Sequence, residues 1–262
     1  MNKDLKYCIK QHQPTGFFSD FNTILACLHY FLKNDVKNFS AIWHNDYIQS
    51  SQYNMFDKFF FTTPIFDSYD VIDAPASISG SFWKCFNEHE TYVDINKTLK
   101  HYNYFENPIY KQIVEDNNKR RFIPPKTLGV HIRGTDHTQH GPLLTLDYYL
   151  DQIYKKIKEN NYKQVFIATD ENRVIEFFKK CAGKCLIYHE DVTRSQDGRA
   201  FHTNLSLTPD QKDKLPIDIL KEAITLSMCD EILVTSSNVS AYSIYIRPEI
   251  KYTFIDKDIQ YH

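Results

Sequence analysis

The chain has 262 residues, with 31 Lys and Arg against 33 Asp and Glu, a formal net charge of −2. Hydrophobic residues make up 42% and charged residues 24%, which excludes wholesale disorder and leaves no basic excess for general nucleic-acid binding. No run approaches the roughly 18 consecutive apolar residues of a membrane span, and residues 1–6 lack the apolar core of a secretory signal. The expectation is a cytoplasmic protein. Two features are unusual: aromatics reach 15%, and there are only 7 glycines. The six cysteines are dispersed in a chain long enough to bury a core without staples, and read as reduced structural thiols.

Taken in order, Tyr7 to Lys10 is a first strand and Phe21 to Leu32 a helix, with Phe21, Leu25, Leu28 and Leu32 on one stripe. Phe39 to Trp43 is a second strand, whereas Asp57 to Phe61 is aromatic-rich without a clear period. Pro124-Pro125 breaks any helix and stiffens a hinge, so the chain divides there into domains 1–122 and 123–262. Beyond it the pattern is regular. Strands are expected at Leu128–Ile132, Gln164–Ala168, Cys185–Tyr188 and Glu231–Val234, and helices at Leu146–Ile157, Asn172–Lys180, Ile217–Met228 and Val239–Ile246. Such alternation implies an α/β protein with parallel sheets covered on both faces, in two Rossmann-like halves.

In open α/β sheets, ligands bind beyond the carboxyl ends of the strands. Those ends supply Arg133 and Asp136, then Thr169 and Asp170, then Thr235, Ser236, Ser237 and Asn238, while the first half adds the loop Gly16-Phe17-Phe18-Ser19-Asp20. Ser236, Ser237 and Asn238 lead into a helix, where free N–H groups and the dipole suit phosphate, although plain N-capping is the commoner use. Arg133, followed by Gly134, can reach a pyrophosphate bidentately. Asp170 can accept from a ribose or base edge or cap the next helix, and Asp218 falls in the first turn of its expected helix. His131, Asp136, His137 and His140 could be read as a metal cluster, but no His-Glu-x-x-His helix is present. Asp256-Lys257-Asp258 reads as a solvated tail, and neither a GxGxxG nor a Walker sequence occurs.

His131-Ile132-Arg133-Gly134-Thr135-Asp136 resembles the His-x-Arg-x-x-Asp motif of the fucosyltransferase superfamily with the two-domain GT-B fold. Val165 to Asp170, and Asp218 through Asp230 to Ser240, resemble two further motifs in the same order, and Gly16 to Asp20 resembles the family's first cleft-facing loop. The resemblance implies a metal-independent, inverting transfer of a sugar, typically fucose from GDP-fucose, to a glycan acceptor, with residues 1–122 on the acceptor side and 123–262 holding the nucleotide sugar. By analogy Arg133 holds and neutralises the departing diphosphate, His131 and Asp136 orient the donor, Asp170 and Asp218 recognise guanosine, and Ser236, Ser237 and Asn238 serve the phosphates. Gly16, Phe17 and His202 complete the donor-site candidates, and Asp136 and His140 are candidates for the base that takes the acceptor proton. No cofactor and no nucleic-acid partner are implied. The alternatives are a non-catalytic nucleotide-sugar-binding protein and a transferase using another nucleotide sugar. One departure is plain: Gly134 stands where many members of that superfamily carry a second arginine or a different residue.

Overall fold

A computed structural model describes residues 7–11, 16–46, 49, 53–64, 70–73, 89–134, 144–199, 201 and 207–256. The first region is a three-stranded parallel sheet in the order β2-β1-β3, formed by β1 (Tyr7–Gln11), β2 (Phe39–Trp43) and β3 (Asp70–Asp73). Tyr7 pairs with Phe39 on one side and Asp70 on the other. Helix α1 (Phe17–Lys33) connects β1 to β2, and the aromatic patch that showed no period forms a single short helix, α2 (Met55–Phe59). Its N-cap, Asn54, accepts from the Phe56 N–H.

Two helices that the sequence reading did not anticipate follow, α3 (His89–His101) and α4 (Pro108–Lys119). In α4, Asn107 caps the first turn and Pro108 occupies the position where a missing N–H does no harm. The second region is a five-stranded parallel sheet, β6-β5-β4-β7-β8. Its strands are β4 (Thr127–Ile132), β5 (Gln164–Thr169), β6 (Leu186–Ile187), β7 (Glu231–Val234) and β8 (Lys251–Phe254). Its helices are α5 (Leu146–Asn160), α6 (Asn172–Ala182), α7 (Pro209–Ser227) and α8 (Asn238–Ile246).

Two elements differ from expectation in instructive ways. The strand expected at Cys185–Tyr188 shrinks to two residues, because a 3-10 turn takes up Gly183–Cys185. Helix α7 begins at Pro209, not Ile217: Thr208 and Gln211 form a reciprocal capping box, and Pro216 is accommodated inside the helix. Asp218 therefore sits in mid-helix, away from the terminus and its dipole.

Alternation along the strands divides the core. Val165 and Ile167 face one cluster with Val130, Tyr149, Ile153 and Phe178, beneath α5 and α6. Phe166 and Ala168 face the other, which runs through α7 and α8 into α1, α2 and α3 without interruption. Phe18 packs on Tyr242 at a ring-centroid distance of 4.6 Å, and the Tyr104 and Tyr242 hydroxyls meet at 2.6 Å. Among the described residues no helix is long and apolar enough to cross a membrane.

Candidate functional site

Parallel pairing of β5, β4 and β7 brings their carboxyl ends side by side. This gathers Arg133 and Gly134, Asp170 and Glu171, and Ser236 to Asn238 along one rim. Arg133 is half-buried immediately after β4. His131, 4% exposed, lies at hydrogen-bonding distance through Nδ1 from Ser240 Oγ (3.0 Å) and Ser237 Oγ (3.1 Å). It thereby ties β4 to the first turn of α8. Ser237 is the N-cap of that helix and accepts from the Ser240 N–H, so the capping role is realised. The same geometry turns the first amides of α8 toward the rim, where an anion is favoured by the dipole.

The carboxylates at this rim are bonded to backbone. Asp170 Oδ1 accepts the Gly134 N–H at 3.0 Å. Asp218, 4% exposed, accepts the Thr193 N–H at 2.8 Å and pairs with Lys214 at 3.0 Å. Ser236 donates its N–H to Asp256 Oδ2 at 2.7 Å. Asp256 is 6% exposed, which corrects the reading of a solvated tail: β8 carries it back beside the end of β7. Asn238 accepts from Asn22 Nδ2 of α1 at 3.0 Å, a direct link between the two regions.

The Phe17 ring is buried, stacked on Trp43 at 5.4 Å and edge-on to Phe59 at 5.0 Å. Gly16 is the N-cap of α1, in extended backbone with no side-chain cap, and its carbonyl accepts from the Ser19 and Asp20 N–H groups. Asp136, His140 and His202 lie outside the described residues.

Beside the rim opens a cavity of about 420 Å³ lined by Gly134, Glu171, Arg173, Ser195, Asp197 and Gly198. Glu171 is 1% exposed and accepts from Arg173 Nε at 2.5 Å. A Cβ at Gly134 would lie 2.2 Å from Glu171 Oε2, and one at Gly198, where φ is +76°, 3.1 Å from Oε1. Gly134 is thus a steric requirement of the Glu171 side chain. Gly129 has a different reason, since a Cβ there would meet Cys229 Sγ at 2.9 Å.

Sequence reasoning missed Glu171, Asn22, Asp256 and the pair Glu222–Arg194. Glu222 accepts the Thr169 N–H at 3.0 Å and the Arg194 guanidinium. Burial pushes the Glu222 carboxyl up while Arg194 and the Thr169 N–H pull it down, and burial prevails. The signal was present: Asp218 and Glu222 are one helical turn apart in a segment otherwise rich in Leu, Ile and Ala.

No protein-family model and no curated protein sequence matches the chain. Solved structures do match in fold. An α-1,6-fucosyltransferase, NodZ, soaked with GDP-fucose is similar over 99% of this chain and 98% of its own, with 14% identity and a TM-score of 0.56. The same enzyme co-crystallised with GDP matches over 93% and 92%, at 14% identity and a TM-score of 0.53. The selenomethionine form of NodZ, from Bradyrhizobium, matches over 99% and 97%, at 13% identity and a TM-score of 0.56. The α/β architecture with two parallel sheets is thus the fold of GT-B type fucosyltransferases, as the motif resemblance implied.

Proposed function

We propose that the chain is an inverting glycosyltransferase that moves fucose from GDP-fucose to a hydroxyl of a glycan acceptor, without a metal. The observation that carries this reading is the convergence of Arg133, Asp170 and the amino end of α8 on one rim of three adjacent parallel strands. Support comes from the shared fold with NodZ, whose structures were obtained with GDP-fucose and with GDP. In an oxocarbenium-like displacement much of the barrier lies in charge developing on the departing diphosphate. An arginine and a helix N-terminus fixed in advance stabilise that charge without reorganising.

In this reading Arg133 neutralises the leaving group, and Ser236, Ser237 and Asn238 donate to its oxygens. His131 positions α8, while Asp170 and Asp218 border the nucleoside. Asp136 or His140 accepts the acceptor proton. Residues 1–122 form the acceptor side and 123–262 the donor side of a cytoplasmic enzyme.

Purified protein incubated with GDP-fucose and candidate glycans is expected to release GDP. Arg133→Ala is expected to lower turnover by about 100–1000-fold, the loss of one oxyanion donor worth about 2.7–4 kcal/mol. Unimpaired turnover in that variant would remove the role given to Arg133. GDP binding without turnover by the wild type points instead to a nucleotide-sugar-binding protein.

A further inference from the structure

We propose that the buried Glu222–Arg194 pair is the positioning element of the nucleotide pocket, holding the turn after β5 and the 189–198 segment in one fixed relation. The inference rests on the donor-site reading above and adds to it two residues that touch no ligand.

Glu222 and Asp218 lie a turn apart on the same face of α7. The two oxygens of Glu222 serve different segments: Oε2 receives the N–H of Thr169, the last residue of β5, at 3.0 Å, and Oε1 receives Arg194. Arg194 passes the constraint on, since its Nη1 donates to the carbonyls of His189 (2.7 Å) and Val192 (3.4 Å). Asp218 holds the same segment through the Thr193 N–H. On the far side the Ser195 N–H donates to the Asp170 carbonyl at 2.8 Å, and the Asn172 N–H to the Ser195 carbonyl at 3.0 Å. Asp170 in turn receives the Gly134 N–H. These bonds close a circuit from α7 through the ends of β5 and β4 and back along the 189–198 segment. The backbone on several sides of the 420 Å³ cavity belongs to that circuit.

The side chains of Arg194 and Glu222 are only 5% and 9% exposed, so they act through the segments they hold. A hydrophobic pair of similar volume would fill the space at a lower desolvation cost. It could not aim two backbone segments, because packing has no direction and hydrogen bonds do.

The test compares wild type with Glu222→Gln, Arg194→Met and the double variant. Hydrogen exchange is read without nucleotide, alongside Tm, GDP affinity by calorimetry, and KM and kcat with GDP-fucose. Glu222→Gln is expected to speed exchange at Gly134, Thr169, Thr193 and Ser195 selectively. GDP affinity should fall about tenfold, as for one lost charge-assisted hydrogen bond, with donor KM rising in parallel and kcat within about threefold. The double variant, with no unpaired buried charge, is expected to regain the wild-type Tm while binding GDP as weakly as Glu222→Gln. A double variant of normal Tm that binds GDP as wild type does would overturn the proposal, as would unchanged exchange at the four amides. If wild type itself binds no GDP, the donor reading falls and exchange alone decides the pair: selective loosening upholds its positioning role, and unchanged exchange ends it.

Discussion

The regions around the two parallel sheets hold their described buried carboxylates with different chemistry. In the five-stranded sheet, Asp170, Asp218, Glu222 and Asp256 each accept a backbone N–H at or beside a strand end, from Gly134, Thr193, Thr169 and Ser236 respectively. Beside the three-stranded sheet, Asp20 of α1, fully buried, accepts from Trp43 Nε1 at 3.1 Å and Asn45 Nδ2 at 2.7 Å. The apolar core of that region is built largely of rings, among them Phe17, Phe18, Phe21, Trp43, Phe59 and Phe60. Carboxylate-to-amide bonds fix positions and directions, whereas ring packing fixes volume and tolerates small displacements. In the proposed reading, the first suits a pocket that meets a diphosphate and a base in one geometry. The second suits a region whose partner, an acceptor glycan in the proposed reading, varies in shape.

The contrast in chemistry does not extend to stability, because one aromatic core serves both regions. Phe21→Ala should show this most strongly. Phe21 is fully buried and lies 4.4 Å from Phe60, 5.8 Å from Tyr104 and 5.3 Å from Tyr242 in ring-centroid distance. Its truncation is expected to cost about 3–5 kcal/mol and to shift one cooperative urea transition as a whole. Two transitions, with only the first displaced, would mean that the regions fold separately.

A smaller effect is expected where the regions meet through a polar contact. Tyr242→Phe leaves the Tyr104 hydroxyl buried without its partner, for about 1–3 kcal/mol, while Tyr104→Phe with Tyr242→Phe should come close to wild type. Equal losses in the single and double variants would show that the hydroxyl pair contributes no coupling.

The smallest effect at neutral pH belongs to His189, on the five-stranded side. Burial lowers its pKa from 6.5 to about 3, with Lys221, Arg194 and Arg120 adding to the shift and Asp191 opposing it. The ring stacks on Phe122 at 4.2 Å and lies 2.8 Å from the Thr225 hydroxyl. The unfolded imidazole takes up a proton below about pH 6.5 that the folded one refuses. Its contribution is therefore complete above 6.5 and is lost as the pH falls toward 3. His189→Gln should flatten the dependence of urea stability on pH between 6 and 4; a slope equal to wild type would assign acid sensitivity elsewhere.

Much of the second region was legible because its signals are local and regular. β4 and β5 are short apolar runs that end in polar residues, and α5 and α6 follow with clear periodicity. The motif residues fell on those ends. The rest depended on long-range geometry or overlapping signals. β8 is a four-residue edge strand, Lys-Tyr-Thr-Phe, with no apolar run. In α3 only Tyr92, Ile95 and Leu99 mark the apolar stripe, amid seven polar or charged neighbours from Glu90 to Lys100. Pro216 looked like a helix start and hid the capping box eight residues earlier. Within the site, a strand end pointed to Asp170 and a helix start with the motif resemblance to Asp218, yet such a carboxylate serves backbone amides as readily as a ligand. Which it serves depends on Thr193 and Gly134, and their approach to those acids is set by the fold.

The scarcity of glycine acquires a sharper meaning at Glu171. Two of the seven glycines, at 134 and 198, flank a single buried carboxylate that would collide with a Cβ at 134 and crowd one at 198. The identities at these positions are therefore linked. A larger residue at 134 fits only with a shorter one at 171; Glu171→Ala would make that room at 134, whereas Gly198 keeps the constraint of its φ of +76°. Positions 134 and 171 are thus sterically coupled: the acid fills the space that a side chain on the neighbouring strand end would need.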